Sequence, residues 1–228
     1  MTRIAVEGQA KRTYPAERGT VNLQVTFSGT LRNDVVERVA RTHAILVEQV
    51  KAHVSAGAAE QWDAASVHSY VYDDQVRSSE AGGRQRIRQF RASARMSVTF
   101  RDFEALSAWL ADVMDVDGVK IDWLSWDLTD ETRKALQAEA RVEAAEETVV
   151  RAQSYADALG LGPVAPVAIY EAGLRGGGGN GAGSPMYAMR ASADMDGRGG
   201  AQVELQPRDI DVEVTLSADY EAGLAAQG

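Results

Sequence analysis

The alternation of apolar and polar side chains near the start of the chain predicts two paired strands. Residues 21–27 place an apolar side chain at every odd position and a polar one between them, which is the pattern of a strand with one buried face. A similar run begins at Ile4, and residues 14–19 between the two runs carry the Pro and Gly typical of a turn. The chain is therefore predicted to open with a hairpin.

The next segment predicts a helix followed by a strand. Residues 36–54 carry apolar side chains every three to four positions, with a break filled by His43. We therefore expect an amphipathic helix with Asn33 as its N-cap and an end near Gly57. A strand is then expected over 67–72 and an exposed polar loop over 73–83.

A second cycle of strand, helix and strand follows the first. Alternation over 92–100 predicts a strand, Asp102 is expected to cap a helix, and 121–128 is expected to return as a strand. The tripeptide Val-Thr-Phe occurs at 25–27 and again at 98–100, in the same place in both cycles. We interpret this as a weak internal repeat.

The longest helix is expected from 129 to 160. A stripe made mostly of alanine runs along it at alternating spacings of three and four residues, which would let the helix lie close against a sheet or another helix. Its members are Ala135, Ala138, Val142, Ala145, Val149, Ala152, Ala156 and Leu159. A group of carboxylates on the same helix is interpreted as a solvated acidic face, with Glu147 and Arg151 as a favourable pair: Glu139, Glu143, Glu146 and Glu147.

Short strands at 167–170 and 210–218 complete the pattern. The segment 173–206 between them is rich in Gly with Met interspersed, and a connector of that length is expected to be flexible or to contact another subunit. Residues 219–228 are expected to form a C-terminal tail. The elements predict a single α+β domain over 1–228, with an antiparallel sheet and three main helices in the order ββα-ββα-βα-ββ.

The charge balance argues against nucleic acid as a partner. The 228 residues include 24 Lys and Arg against 33 Asp and Glu, a net charge of −9, which would repel a polyanion. Cys is absent and His occurs three times, so thiolate chemistry and cysteine metal sites are excluded. No stretch reaches the roughly 18 to 20 apolar residues of a membrane-spanning helix, and the residues after Met1 do not read as a signal peptide. We therefore expect a cytoplasmic protein without membrane insertion, or a periplasmic one if a leader has been removed.

No constellation of catalytic, cofactor-binding or metal-binding residues emerges from the sequence. Residues 176–181 satisfy Gly-x-Gly-x-x-Gly, but no helix-forming segment follows that could hold a pyrophosphate. The candidate interaction surface combines three side chains on one strand face with two methionines of the Gly-rich segment: His68, Tyr70, Tyr72, Met186 and Met189. The strand residues could line a subunit contact or a ligand pocket, or form a plain aromatic ladder.

The order of these segments resembles the SIMPL-domain family, a mostly bacterial group. The first strand over 4–10, the strand-to-helix passage at 91–106, and above all the Ala-rich helix with its Leu159-Gly160 end and the strand at 169–171 are similar to that family's motifs. The resemblance implies an α+β fold whose protomers assemble into ring-like homo-oligomers, with no established reaction or cofactor. It also implies a connection with bacterial stress tolerance, often from the periplasm or cell envelope, and with a eukaryotic relative that associates with a kinase.

Two classes of function stay open at this stage. We expect a non-enzymatic, self-assembling protein with a structural, interaction or stress-related role, whose partner is itself or another protein and which needs no cofactor. The alternative is a small-ligand binding protein, or an enzyme working without Cys, whose pocket lies between the sheet and the Gly-rich segment.

Overall fold

The protein has an α+β fold, with eight strands and three helices in the part of the chain that the structure describes. The computed structural model describes residues 1–77, 84–174 and 205–224. The elements are β1 (Thr2–Tyr14), β2 (Arg18–Gly29), α1 (Arg32–Ser55), β3 (Ala59–Ala64), β4 (His68–Arg77), β5 (Arg84–Phe100), α2 (Phe103–Met114), β6 (Val119–Asp127), α3 (Asp130–Ala158), β7 (Ala165–Glu171) and β8 (Ile210–Ala222). The predicted α+β class is confirmed, but the order is ββα-βββα-βα-ββ, with one strand more than predicted.

The described residues fall into two compact units, each with its own antiparallel sheet. The first comprises 1–15, 128–174 and 209–224, and the second comprises 16–77, 84–127 and 205–208. The prediction of one sheet is therefore wrong. Local alternation shows that a strand has a buried face but does not show which strands pair. The interpretation of 1–228 as one domain stays a prediction.

In the first unit, the sheet has the order β1-β8-β7, and α3 packs on β1 and β8. Buried and exposed residues alternate in β1 from Ile4 to Ala10. β1 and β8 pair without a break from Thr2, opposite Ala222, to Tyr14. β8 thus includes residues 219–222, which were expected to belong to a C-terminal tail. The core of the unit combines large side chains of the strands, such as Ile4 and Tyr220, with the alanines of α3.

The buried stripe of α3 differs from the predicted one. Its members are small side chains spaced strictly by four: Ala140, Ala144, Thr148, Ala152 and Ala156. Ala145 is half-buried, whereas Val142 and Val149 are 60% and 47% exposed. A row of residues four apart is inclined to the helix axis and packs against a neighbour that crosses the axis at an angle. Spacing along the sequence does not reveal that angle, so the predicted stripe is correct at Ala152 and Ala156 and wrong over the first part of the helix.

Gly8 lets β1 and α3 approach each other closely. A Cβ atom at this position would lie 2.1 Å from the carbonyl oxygen of Ala144 and 2.6 Å from Cγ2 of Thr148. The Thr148 hydroxyl donates to the carbonyl of Ala145 at 2.7 Å and accepts from the hydroxyl of Tyr220 at 2.8 Å. Both hydroxyls are buried, so this pair satisfies polar groups that would otherwise be costly in the core.

In the second unit, the sheet has the order β3-β5-β2-β6, and β4 also pairs with β5, beyond the end of β3. β2-α1-β3 and β5-α2-β6 form two interlocking β-α-β segments, which is the arrangement of ferredoxin-like folds. The first strand and the helix of each β-α-β segment match the two cycles of the weak internal repeat, but the strand that follows α1 in the first segment is β3 and not the predicted strand over 67–72, which lies mostly in β4. The repeat in sequence thus has a partial counterpart in topology.

Helices α1 and α2 pack on one face of this sheet over a core that includes Leu23 and Phe100. α2 is capped as predicted, since the Asp102 carboxylate accepts the backbone N–H groups of two residues in the first turn at 3.0 Å each. α1 begins at Arg32 with Leu31 as its N-cap, so the expectation of an Asn33 cap is wrong. Its predicted end near Gly57 is confirmed, and Gly57 has a φ of 76°, which suits glycine.

The strands around β5 are where prediction from the sequence fell short. β3 is short and half polar, with Trp62 as its one large apolar side chain, and no clear alternation of residue types marks it. β5 begins at Arg84 instead of residue 92, and β4 continues to Arg77. Residues 73–77 of the expected loop are therefore paired strand, and 78–83 lie outside the described residues. β3 does pack on α1, but its apolar residues Ala59, Trp62 and Ala64 are not regularly spaced, and residues 73–77 and 84–89 contain few apolar residues. Neither segment therefore carries the apolar alternation that the prediction needed.

Candidate functional site on the β4–β5 ribbon

β4 and the first part of β5 form a two-stranded ribbon that extends past the rest of the sheet. All of β4 pairs with residues 84–93 of β5. β2, on the other side of β5, ends its pairing at Gly29, opposite Phe90. Among the described strands, residues 84–89 therefore pair with β4 alone. Residues 68–77 and 84–93 are termed the β4–β5 ribbon below.

One face of the ribbon carries the aromatic side chains predicted to form an interaction surface. His68, Tyr70 and Tyr72 alternate along β4, with His68 and Tyr70 exposed and Tyr72 half-buried. Tyr70 is 52% exposed, and the ring centroids of Tyr70 and Tyr72 lie 6.3 Å apart. The structure thus places three of the five predicted residues on one strand face. Met186 and Met189 lie outside the described residues, as does most of the Gly-rich segment.

Arg91 lies opposite Tyr70 on β5 and connects the two tyrosines. Its guanidinium carbon is 5.2 Å from the centroid of the Tyr72 ring, and its Nη1 donates to the Tyr70 hydroxyl at 3.5 Å. Its Nε donates to Ser28 at 3.1 Å. The hydrogen bond to Tyr70 raises the pKa of Arg91 further above its usual value. The face therefore presents two tyrosine rings beside a permanent positive charge, a combination enriched at protein interfaces.

The opposite face of the ribbon exposes aliphatic groups near the start of α1. Val71 is 46% exposed and Leu31 is 70% exposed. A shallow depression of about 430 Å³ lies beside them, lined by residues 30–34 and Phe90. Both faces of the ribbon therefore leave apolar side chains accessible to a partner.

The carboxylates of α3 are partly used to hold the helix on its sheet. Nη1 of Arg12 in β1 lies 3.1 Å from Oε2 of Glu143. Glu147 accepts the backbone N–H of Gln9 and pairs with Arg151, as predicted. The hydrogen bond from Gln9 lowers the pKa of Glu147 below its usual value. Glu139, Glu143 and Glu146 are exposed, in agreement with a solvated acidic face, and contacts from β1 to this face were not predicted.

The described ranges contain neither a candidate metal cluster nor a helix fit to cross a membrane. No three His, Asp or Glu side chains in them are grouped so that they could hold a metal ion. None of the helices in these ranges combines the length and the hydropathy that a bilayer span requires. His53 of α1 packs edge-on against Phe100, with ring centroids 5.3 Å apart, so its environment is that of a packing residue.

A second exposed feature was missed by the sequence analysis. Trp123 of β6 is 56% exposed on the face of the second sheet that α1 and α2 leave open. It borders a depression of about 210 Å³ with Asp63, Arg95 and Asp122. Strict alternation would place Trp123 in the core with Ile121, but a register shift between β6 and β2 turns it to the polar face. The shift depends on strand pairing, so the sequence alone gives no signal for it.

The comparison with known protein families covers both units. The family model described as "SIMPL: Protein of unknown function (DUF541)" matches residues 4–220. No curated protein matches the chain. The matched range includes the first strand and α3, on which the resemblance noted in the sequence rests. The chain therefore belongs to the SIMPL family, whose function is unknown.

Proposed function

We propose that the chain is a self-assembling, non-enzymatic structural protein that forms a ring-like homo-oligomer through the β4–β5 ribbon. The observation that carries this proposal is the overhang of the ribbon: residues 84–89 and their partners in β4 continue beyond β2. An isolated two-stranded ribbon is at best marginally stable in water. Contact with another copy would supply the neighbour that the overhang lacks among the described strands.

The side chains of the ribbon favour a protein partner. Tyrosine and arginine are enriched among the residues that dominate binding energies at interfaces. Tyr70, Tyr72 and Arg91 form such a group, already held together by the contacts described above. Burying the exposed Tyr70 ring in a subunit contact would also remove apolar surface from water.

The charges of the two strands favour a head-to-tail contact between copies. Among the side chains that the structure describes, the ribbon part of β5 carries Arg88 and Arg91, whereas β4 carries Asp73. Two β5 edges side by side would repel each other, while the β4 edge of one copy beside the β5 edge of the next would attract. A contact between two different surfaces of identical copies closes into a ring when its rotation permits.

The experiment compares the sedimentation of the full-length protein with that of two variants. The double variant Tyr70→Ser/Tyr72→Ser removes the aromatic pair, and Tyr155→Ser is the matched control, since Tyr155 of α3 is 56% exposed against 52% for Tyr70. The wild type and the control should sediment as the same multiple of 24.5 kDa. The double variant should dissociate at least roughly thirtyfold more readily, because each such tyrosine typically contributes 1 kcal/mol or more.

A folded double variant, with the circular dichroism of the wild type, that keeps the wild-type mass would contradict the proposal. Raising the salt concentration should also weaken assembly, because the head-to-tail contact pairs opposite charges near the surface. An oligomer insensitive to both changes would have to be held together by some other surface.

A further inference from the structure

The polar face of the second sheet contains a depression to which four strands contribute. In one row of the register Asp63 of β3 lies opposite Ser97 of β5, Ser97 lies opposite Asn22 of β2, and Asn22 lies opposite Trp123 of β6. Arg95 lies one row further along on the same face. The depression encloses about 210 Å³, enough for a single small ring, and it lies on regular strands, which position side chains more precisely than loops do.

A β-bulge directs two neighbouring side chains into this depression. The pairing of β6 with β2 shifts between Asn22 and Leu23, which makes Asp122 an extra residue in the ladder. As a result, Asp122 and Trp123 both line the depression, while Ile121 stays with the core. Bulges often re-aim side chains in this way beside functional sites. An indole ring is thereby left 56% exposed among polar groups.

The polar groups around the indole keep their hydrogen-bonding capacity for a ligand. Within the described part of the chain, the side chains of Asn22, Asp63, Arg95 and Ser97 make no hydrogen bond or ion pair. The charges around the depression also cancel, since Asp63 offsets Arg95 and Asp122 lies 4.0 Å from Nζ of a nearby lysine. The site therefore offers donors and acceptors without a net charge.

We propose that this depression binds a neutral pyranose sugar. The exposed face of Trp123 is an apolar platform for the C–H face of the sugar ring. The carboxylate of Asp63 accepts hydrogen bonds from sugar hydroxyls, the guanidinium of Arg95 donates to them, and Asn22 and Ser97 do both. The lining holds two carboxylates and one guanidinium, and Lys120 beside Asp122 offsets the remaining negative charge, so a charged ligand gains little at this site. The open shape of the site limits the affinity to about the millimolar range.

The test titrates the full-length protein with sugars and monitors the indole N–H signals by ¹⁵N NMR. The probes are glucose, glucosamine and glucuronate, which have matched shapes and different charges. The chain has four tryptophans, and the signal of Trp123 is identified by its loss in Trp123→Phe. Glucose should move the Trp123 signal saturably. The signal of Trp109, whose Nε1 donates to Gln49 at 3.1 Å inside the protein, should not move.

Two arginine variants test the polar half of the site. Arg95→Ala should weaken glucose binding about tenfold, because hydrogen bonds to a charged group are lost. Arg41→Ala is the matched control, since Arg41 is an exposed arginine of α1 that pairs with Glu37 at 2.9 Å, and it should leave binding unchanged. The ribbon variant Tyr70→Ser/Tyr72→Ser should also bind glucose normally, so the site and the assembly are tested separately.

Three results would overturn the proposal. The first is a Trp123 signal that does not move saturably with glucose up to concentrations about a hundredfold above 1 mM. The second is tighter binding of either charged sugar than of glucose, which would mean that net charge governs the site. The third is a glucose response that stays intact in folded Arg95→Ala.

Discussion

Replacing Gly8 with alanine should destabilise the first unit, because the new Cβ atom has no room. It would lie 2.1 Å from the carbonyl oxygen of Ala144, whereas ordinary contact begins at 3.4 Å, so a shift of about 1.3 Å is required. That oxygen belongs to the backbone of α3 and cannot turn away as a flexible side chain could. Overpacking typically costs about 1–3 kcal/mol, and we expect a value near 3 kcal/mol. Alanine loses less conformational entropy than glycine when the strand forms, which offsets about 0.5 kcal/mol of this cost. The net loss in the free energy of unfolding is therefore about 2.5 kcal/mol.

Urea unfolding followed by two probes measures this loss. The far-UV circular dichroism signal contains the contribution of α3, the longest helix, which belongs to the first unit. All four tryptophans lie in the second unit, so their fluorescence reports the unfolding of that unit. The matched control is Gly223→Ala, where a Cβ atom would meet nothing within 4 Å and stability should change by less than about 0.5 kcal/mol. If Gly8→Ala is as stable as this control, α3 does not rest on β1 at Gly8, and the account of the first unit is wrong.

Three further predictions concern buried and half-buried side chains. Ala144→Leu should lower the free energy of unfolding, measured by thermal melts, by about 2 kcal/mol more than Ala145→Leu, because Ala144 is fully buried and Ala145 only half-buried. A larger loss of stability for Ala145→Leu would favour the stripe predicted from the sequence. Thr148→Val and Tyr220→Phe should each lower the free energy of unfolding by about 1 kcal/mol. The double variant should lose less than the sum of the two, because both residues take part in one hydrogen bond, and additive losses would refute that bond. Burial raises the pKa of Glu60, but hydrogen bonds from two guanidinium groups outweigh it and lower the pKa below the usual 4.5. The stability that Glu60 contributes is therefore present above pH 4.5 and is lost as the pH falls through the lowered pKa. The free energy of unfolding of Glu60→Gln, measured against pH, should lack this loss at acid pH. A pH dependence equal to that of the wild type would contradict the lowered pKa of Glu60.

The sequence predicted those elements whose signals are local. The alternation over 21–27 and 210–218 revealed β2 and β8, because one covered face imposes a period of two on each strand. The Asp102 cap and the end of α1 near Gly57 were also predicted, since capping chemistry depends on a few adjacent residues.

What the sequence did not reveal depends on contacts between distant residues. The first part of the stripe of α3 was misplaced because its position depends on the angle at which the helix meets β1 and β8. β3 was missed because its core-facing residues Ala59, Trp62 and Ala64 are irregularly spaced, and the overhang of the ribbon was missed because its sequence contains few apolar residues. The same limits apply to the candidate sites. Tyr70 and Tyr72 were placed on one face correctly by alternation, whereas Trp123 was missed because a bulge reverses the face that alternation assigns to it.

Self-assembly is the central claim, and the molar mass of the full-length chain in solution tests it most directly. Multi-angle light scattering over a range of micromolar concentrations would give that mass without reference to any variant. We predict a single species at a fixed multiple of 24.5 kDa, constant across the range, as expected for a closed ring. A protein that stays at 24.5 kDa at every concentration would contradict the account.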